Sequence, residues 1–214
     1  MKALLHPAAK PVVFALCLLP FCWLVFGAFA DRLGANPAEH LIRATGDWTL
    51  RFLCIVLAVT PLRVLAGWPA LARLRRPLGL FAYFYAVLHL LCYAWFDMGF
   101  EVPDIAADIA KRPFILAGFA ALALLTLLAA TSSNRAVKAL GGRRWQALHR
   151  LVYAAAGLAL LHFFWMRAGK NDFAEVAAYA AIVGALWLWR LWRRFSPAAA
   201  SRRASAPARP RARG

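Results

Sequence analysis

Six stretches of roughly twenty predominantly apolar residues recur along this chain, and they constrain its fold more than any other feature. About 20 helical residues cross a hydrocarbon layer about 30 Å thick, so each stretch has the length and character of a membrane-spanning helix. Composition agrees. The chain is 63% hydrophobic and only 16% charged, against roughly 45–50% and 25% in soluble domains, and its mean hydropathy is +0.60. The expected spans are residues 11–30, 47–65, 77–96, 113–130, 145–166 and 173–192. Pro11 falls at the start of the first, where proline is tolerated, and Thr60-Pro61 should kink or end the second. The first span exceeds a signal-peptide core and lacks an Ala-x-Ala pattern, so it reads as retained.

The fold expectation is an all-α integral membrane protein, a six-helix transmembrane bundle over residues 11–192. A short basic segment, 1–10, precedes it. An Ala/Pro/Arg/Ser tail, 193–214, follows and is expected to be disordered, because such low complexity cannot build a core. Residues 31–46, containing Asn36-Pro37, read as a loop, as do the basic segments 63–76 and 131–144 and the acidic segment from Asp97 to Asp108.

The net charge of +17 invites a polyanion partner, but its distribution argues otherwise. With the N-terminus placed inside, inner segments hold nineteen of the twenty-six Lys and Arg. Outer segments hold the other seven and all nine Asp and Glu. That is a strong positive-inside bias, so both termini are expected to be cytoplasmic and the excess charge to mark topology and anionic-lipid contact. Nucleic acid is not the expected partner. Cys17, Cys22, Cys54 and Cys92 all lie inside spans without metal-ligand spacing, and read as small buried residues.

Histidines carry the functional signal, because ligating side chains inside a span are costly and mark sites. His89 lies about twelve residues into the third span and His162 about seventeen into the fifth. Both spans run in the same direction. At about 1.5 Å per residue their depths differ by several Å, within reach of helix tilt. Two imidazoles facing one another across a bundle are how membrane helices hold haem. Tyr85, Tyr93 and Phe96 flank His89, and Ala154 to Gly157 near His162 are small enough to admit a macrocycle. Hydrogen-bonded structural histidines are the alternative. Met166, one turn past His162, reads as packing rather than as an axial ligand.

His149 is thirteen residues before His162, a rise of roughly 20 Å, and so lies near the inner face. It is either the ligand of a second, inner haem or an interfacial histidine among Arg143, Arg144 and Arg150. The inner-rim arginines, Arg63, Arg73, Arg75, Arg76, Arg143, Arg144 and Arg150, mainly mark topology, with some able to pair with propionates. His6 and His40 lie outside the spans.

Longer strings then point to a family. Thr45-Gly46-Asp47-Trp48, Thr60-Pro61-Leu62-Arg63, Arg76-Pro77-Leu78-Gly79-Leu80, Thr131-Ser132-Ser133-Asn134, Gly141-Gly142-Arg143-Arg144-Trp145, Leu148-His149-Arg150-Leu151-Val152-Tyr153 and His162-Phe163-Phe164-Trp165 stand in order around His89. Over about residues 10–192 the chain resembles the ferric-reductase-like transmembrane family. Within it, the likeness is to haem-binding membrane subunits of bacterial periplasmic methionine sulfoxide reductase systems. The resemblance implies a multi-pass inner-membrane protein with b-type haem, one or two, and FMN. It implies electrons taken from the quinone pool, or from a cytoplasmic flavin reductase, and delivered to a periplasmic molybdopterin-containing catalytic subunit, MsrP. By motif match His89, His149 and His162 are the haem-ligand histidines. Two-haem oxidases of this family carry a further histidine on the third helix, which this chain lacks. No Gly-rich phosphate loop or soluble flavin domain is present to place FMN or a nicotinamide.

Two rival classes share parts of this pattern. A stand-alone ferric-reductase or NADPH-oxidase-like protein would keep the histidines and reduce a small acceptor directly. A non-redox transporter or assembly factor would bind no haem, although no inverted repeat stands out to favour transport.

Overall fold

The computed structural model describes residues 9–169 and 171–196, all of whose regular elements are helical. The first eight residues of the expected basic N-terminal segment and residues 197–214 of the expected tail lie outside the described residues. Eight helices follow one another: α1 Ala9–Phe29, α2 Pro37–Leu65, α3 Arg75–Cys92, α4 Val102–Lys111, α5 Pro113–Ala130, α6 Asn134–Leu148, α7 Val152–Ala168 and α8 Ala174–Phe195. Six helical segments are long and apolar enough to cross a membrane, built on α1, α2, α3, α5, α6–α7 and α8.

The span at 113–130 forms as expected. Others differ for local reasons. α2 starts ten residues before the expected 47, because Asn36 Oδ1 accepts from Glu39 N at 3.1 Å and Pro37 occupies the first turn. That is an N-cap followed by a proline whose missing N–H costs nothing there. Pro61 does not end α2, which runs on to Leu65. The expected acidic loop holds α4, and the expected basic loop at 131–144 holds α6, capped by Ser133 Oγ on Ala136 N. Gly141, at φ 72° and ψ 150°, breaks α6 in two, a conformation only glycine adopts freely. α8 extends to Phe195, past the expected tail boundary at 193, with Arg193 and Arg194 in its last turn where cations suit the helix dipole.

α2 packs along α3 and α5 along α7, while α3 touches α5 and α2 touches α7. These four make a closed bundle. Ring contacts of Phe14 with Phe81 and Phe21 with Phe84 run α1 parallel to α3. Contacts of Arg51 with Tyr179 and Arg190 with Leu57 run α8 parallel to α2. Short connections between antiparallel neighbours produce this order. Every Asp and Glu therefore gathers towards one end of the bundle, and the clustered arginines of residues 63–76 and 135–150 towards the other.

Phe52, Leu53, Phe81, Ala82 and Tyr85 form the aromatic centre of the core, with Phe52 stacked on Tyr85 at 5.3 Å between ring centres. Tyr85 also repairs α1. Pro20 lies inside that helix and supplies no N–H; beside it the Tyr85 hydroxyl donates to Cys17 O at 2.9 Å and accepts from Phe21 N at 3.0 Å. A side chain thus closes a gap in an i→i−4 ladder, which lipid could not do. Large apolar side chains such as Trp23, Leu188 and Trp192 face outward, as they do where the solvent is hydrocarbon. All four cysteines are free.

Candidate functional site

α2, α3, α5 and α7 enclose a cavity of ≈ 600 Å³ that both His89 and His162 line. That lies within the roughly 300–1,000 Å³ typical of cofactor sites. The imidazole centres are 6.1 Å apart with their planes at 70°. Each ring is anchored in the same way. His89 Nδ1 lies 2.8 Å from Ile42 O on α2, and His162 Nδ1 lies 2.6 Å from Phe114 O on α5. A carbonyl can only accept, so the proton is on Nδ1 in both rings and Nε2 keeps its lone pair. This is the second-shell arrangement that fixes tautomer and orientation in metal-ligating histidines.

Gly46 and Gly118 make the anchoring geometrically feasible. A Cβ at Gly46 would stand 3.1 Å from His89 Cε1, and one at Gly118 only 2.9 Å from His162 Nδ1. Each histidine therefore lies over a glycine on the facing helix, one turn beyond the carbonyl that holds it. Glycine inside a span otherwise weakens the helix, so its presence here marks close approach.

The donor set fits a group bound by two imidazoles. Metal–nitrogen bonds of about 2 Å on each side, with ring centres roughly 1 Å further back, place two ligating rings about 6 Å apart. Nothing else among the described residues competes: no group of three His, Cys, Asp or Glu is arranged to hold a metal ion. Leu50, Leu122, Leu125 and Ala159 line the apolar walls, and Met166 lies at the edge.

At the acidic end the cavity meets Arg43, Arg112 and Arg167. Each has a carboxylate partner: Arg43 pairs with Glu39, Arg112 with Asp108 at 2.8 Å, and Arg167 with Asp172 at 2.9 Å and with Glu175. None of the seven inner-rim arginines lines this cavity. The three that do were missed from the sequence, although two show the i,i+4 acid–base spacing of helix pairs, Glu39 with Arg43 and Asp108 with Arg112. The backbone acceptors Ile42 and Phe114 carried no sequence signal.

His149 stands apart near the basic end. Its ring stacks on Trp145 at 4.0 Å, and Nε2 lies 3.2 Å from Thr131 Oγ1. Thr131 spends its single hydroxyl proton on Leu127 O at 2.7 Å, so the imidazole donates to it from Nε2 and Nδ1 is the unprotonated nitrogen. Trp145 Nε1 donates to Thr131 O at 2.8 Å, completing the clamp. The structure thus brings His89 and His162 together and leaves His149 outside their cavity.

A membrane bundle with two facing, carbonyl-anchored histidines defines a class, and comparison with known proteins agrees with it. Residues 45–160 match the family described as the ferric reductase like transmembrane component. The chain is 71% identical over 197 residues, 92% of its length and 90% of the relative's, to the protein-methionine-sulfoxide reductase heme-binding subunit MsrQ of Polaromonas naphthalenivorans. It is 54% identical over 183 residues to the MsrQ of Herminiimonas arsenicoxydans, covering 86% and 84% of the two chains. Against the MsrQ of Bordetella pertussis it is 50% identical over 189 residues, covering 86% and 91%. The chain belongs to the ferric-reductase-like transmembrane family, in the MsrQ group.

Proposed function

We propose that this chain binds b-type haem between His89 and His162 and passes electrons across the bacterial inner membrane to a periplasmic methionine sulfoxide reductase. The observation that carries the reading is the pair of imidazoles 6.1 Å apart in one cavity, each with Nδ1 committed to a backbone carbonyl. Relatives named as heme-binding subunits support it. Haem, when bound, supplies a one-electron couple that no side chain here offers.

The chain's own residues do the rest. Ile42 O and Phe114 O hold the two Nδ1–H groups, which keeps both Nε2 atoms available and the rings in fixed orientation. Leucine and alanine walls exclude water, and the arginines at the acidic end supply positive charge for propionate carboxylates. On the positive-inside bias the basic end is cytoplasmic, with both termini there. Electrons enter at that end from a quinol or a cytoplasmic flavin reductase, with FMN as a further carrier as in the family the chain resembles. They leave at the acidic end to the molybdopterin-containing MsrP, so the chain is an electron-transfer subunit rather than the catalytic one. His149 would serve a separate group near the basic end through Nδ1.

Optical spectra of the purified protein test this, oxidised and then dithionite-reduced, for wild type, His89→Ala and His162→Ala. A low-spin b-type spectrum lost in both variants is expected, together with quinol-dependent methionine sulfoxide reduction when MsrP is added to the wild type. A colourless protein under haem-replete expression would refute the cofactor, and haem without transfer to MsrP would refute the partner.

A further inference from the structure

The basic end of the bundle holds a second constellation that the electron-transfer reading does not use. Arg75, the first residue of α3, and Arg190, near the end of α8, each donate from Nη2 to Thr60 Oγ1, at 2.9 and 3.0 Å. Arg190 Nη2 also lies 3.2 Å from Leu57 O, and its guanidinium covers the Tyr153 ring at 4.7 Å. Arg63 stands three residues past Thr60 on α2, on the same face of that helix, with its Nε buried. Guanidiniums from α3 and α8 thus meet on one hydroxyl of α2, with Arg63 about a turn further along α2.

Among the described residues none of the three has a carboxylate partner. Every salt bridge of the described residues uses Arg43, Arg112 or Arg167 at the other end, where the acids are. The Nε atoms of Arg63 and Arg190 are buried without a hydrogen-bond acceptor. Three gathered like charges repel one another, and the buried unpaired donors of Arg63 and Arg190 are costly. An acceptor that brings negative charge and several oxygens would relieve both.

We propose that Arg63, Arg75 and Arg190 form a binding site for a phosphate group at the membrane surface. Planar guanidinium forks match phosphate oxygens, and three of them suit an anion with three or four acceptors better than a single carboxylate. The level is that of the headgroups, since α2 is ending and α3 beginning there. Two sources present this chemistry, the phosphodiester of an anionic phospholipid and a water-soluble phosphate.

The test uses the full chain purified with its cofactor and delipidated in neutral detergent. Its thermal midpoint is followed by tryptophan fluorescence at fixed ionic strength, with phosphatidylglycerol or inorganic phosphate titrated in. A saturable rise with phosphatidylglycerol alone assigns the site to lipid, and one with inorganic phosphate assigns it to a soluble ligand. In either case Arg75→Gln should raise the half-saturating concentration about tenfold, the worth of one charged hydrogen bond. Arg190→Lys, which keeps charge and loses the fork, should raise it too. An Arg73→Gln/Arg76→Gln variant, on the same end but outside the cluster, should respond as wild type. If Arg75→Gln does not fold, Arg63→Gln carries the same expectation. No rise with either additive, or an equal loss in the Arg73/Arg76 variant, overturns the site.

Discussion

Gly118→Ala probes the site through a single methyl group. Its Cβ would lie 2.9 Å from His162 Nδ1, 3.1 Å from Cε1 and 3.2 Å from Cγ. Relief to ordinary contact needs the imidazole to retreat by ~0.6 Å or more. The ring is bonded to Phe114 O on the same helix as the new methyl, so retreat stretches that 2.6 Å bond to about 3.2 Å, the edge of useful length. Losing such an outer-shell contact weakens metal binding by about 10–100-fold. At Gly46 the nearest approach is 3.1 Å and the displacement only a few tenths of an ångström, so Gly46→Ala should cost less, roughly threefold to tenfold. Gly184→Ala on α8 meets nothing within 4 Å and serves as control. Alanine favours the helix over glycine by about 1 kcal/mol, so a loss cannot come from propensity. The assay is haem transfer to apomyoglobin, read as dissociation rate, with haem per protein measured alongside. Wild-type retention in Gly118→Ala, or a larger loss in Gly46→Ala, would refute the reasoning.

Tyr85→Phe removes the hydroxyl that bridges Phe21 N and Cys17 O; both should be left unpaired in apolar surroundings, lowering stability by about 1–3 kcal/mol, read as a fall in thermal midpoint in detergent. Gly141→Ala should cost about 1–3 kcal/mol for its left-handed φ of 72°, whereas neighbouring Gly142→Ala should be close to neutral, as thermal denaturation of the pair will show. Glu101→Lys with Asp104→Lys, both exposed on the acidic end, should slow electron delivery to the proposed partner MsrP about tenfold at low salt and less at high salt. Stopped-flow reoxidation with an unchanged rate would remove that docking face.

The spans were legible because about 20 consecutive apolar residues announce a crossing by length alone. The 113–130 span is bounded by Arg112-Pro113 and by Thr131, so its limits were legible too. Helix outside the hydrocarbon was not. Residues 37–46 include Glu39, His40 and Arg43, and hydropathy cannot tell such a polar helix from a loop. The Asn36-Pro37 cap signal was present and was read as loop punctuation. α4 and α6 escaped for the same reason. His89 and His162 stood out through their cost in lipid, with counted depths several Å apart and within reach of helix tilt. α7 becomes regular only at Val152, after a 3₁₀ turn at His149–Leu151, so an α-helical count from Trp145 does not fix the depth of His162. Asp108 falls in what reads as an exposed acidic loop, but it is buried, accepting from Tyr93 Oη at 2.7 Å and paired with Arg112. A charge faces inward there because two partners satisfy it.

The two histidine anchors repeat one design. In each, a carbonyl stands four residues before a glycine on one helix, and the histidine it holds lies 43 or 44 residues after that glycine on the next span. The connections differ, a 3₁₀ turn at Pro69–Leu74 in one case and the broken α6 in the other, so loop length does not enforce the match. Equivalent second shells make the two rings equivalent donors, and the reduction potential of a group between them is then left to the charges around the cavity. Arg167 is the rim arginine with two carboxylate partners, Asp172 and Glu175. Arg167→Gln removes one positive charge and leaves both negative ones, which favours the oxidised form. A unit charge at about 10 Å and an effective dielectric near 20 is worth roughly 1.7 kcal/mol, on the order of 70 mV for one electron. A fall of that order in a spectroelectrochemical titration is expected with the spectrum itself unchanged, since neither imidazole is touched. A rise, or no shift, would mean that the rim does not set the potential.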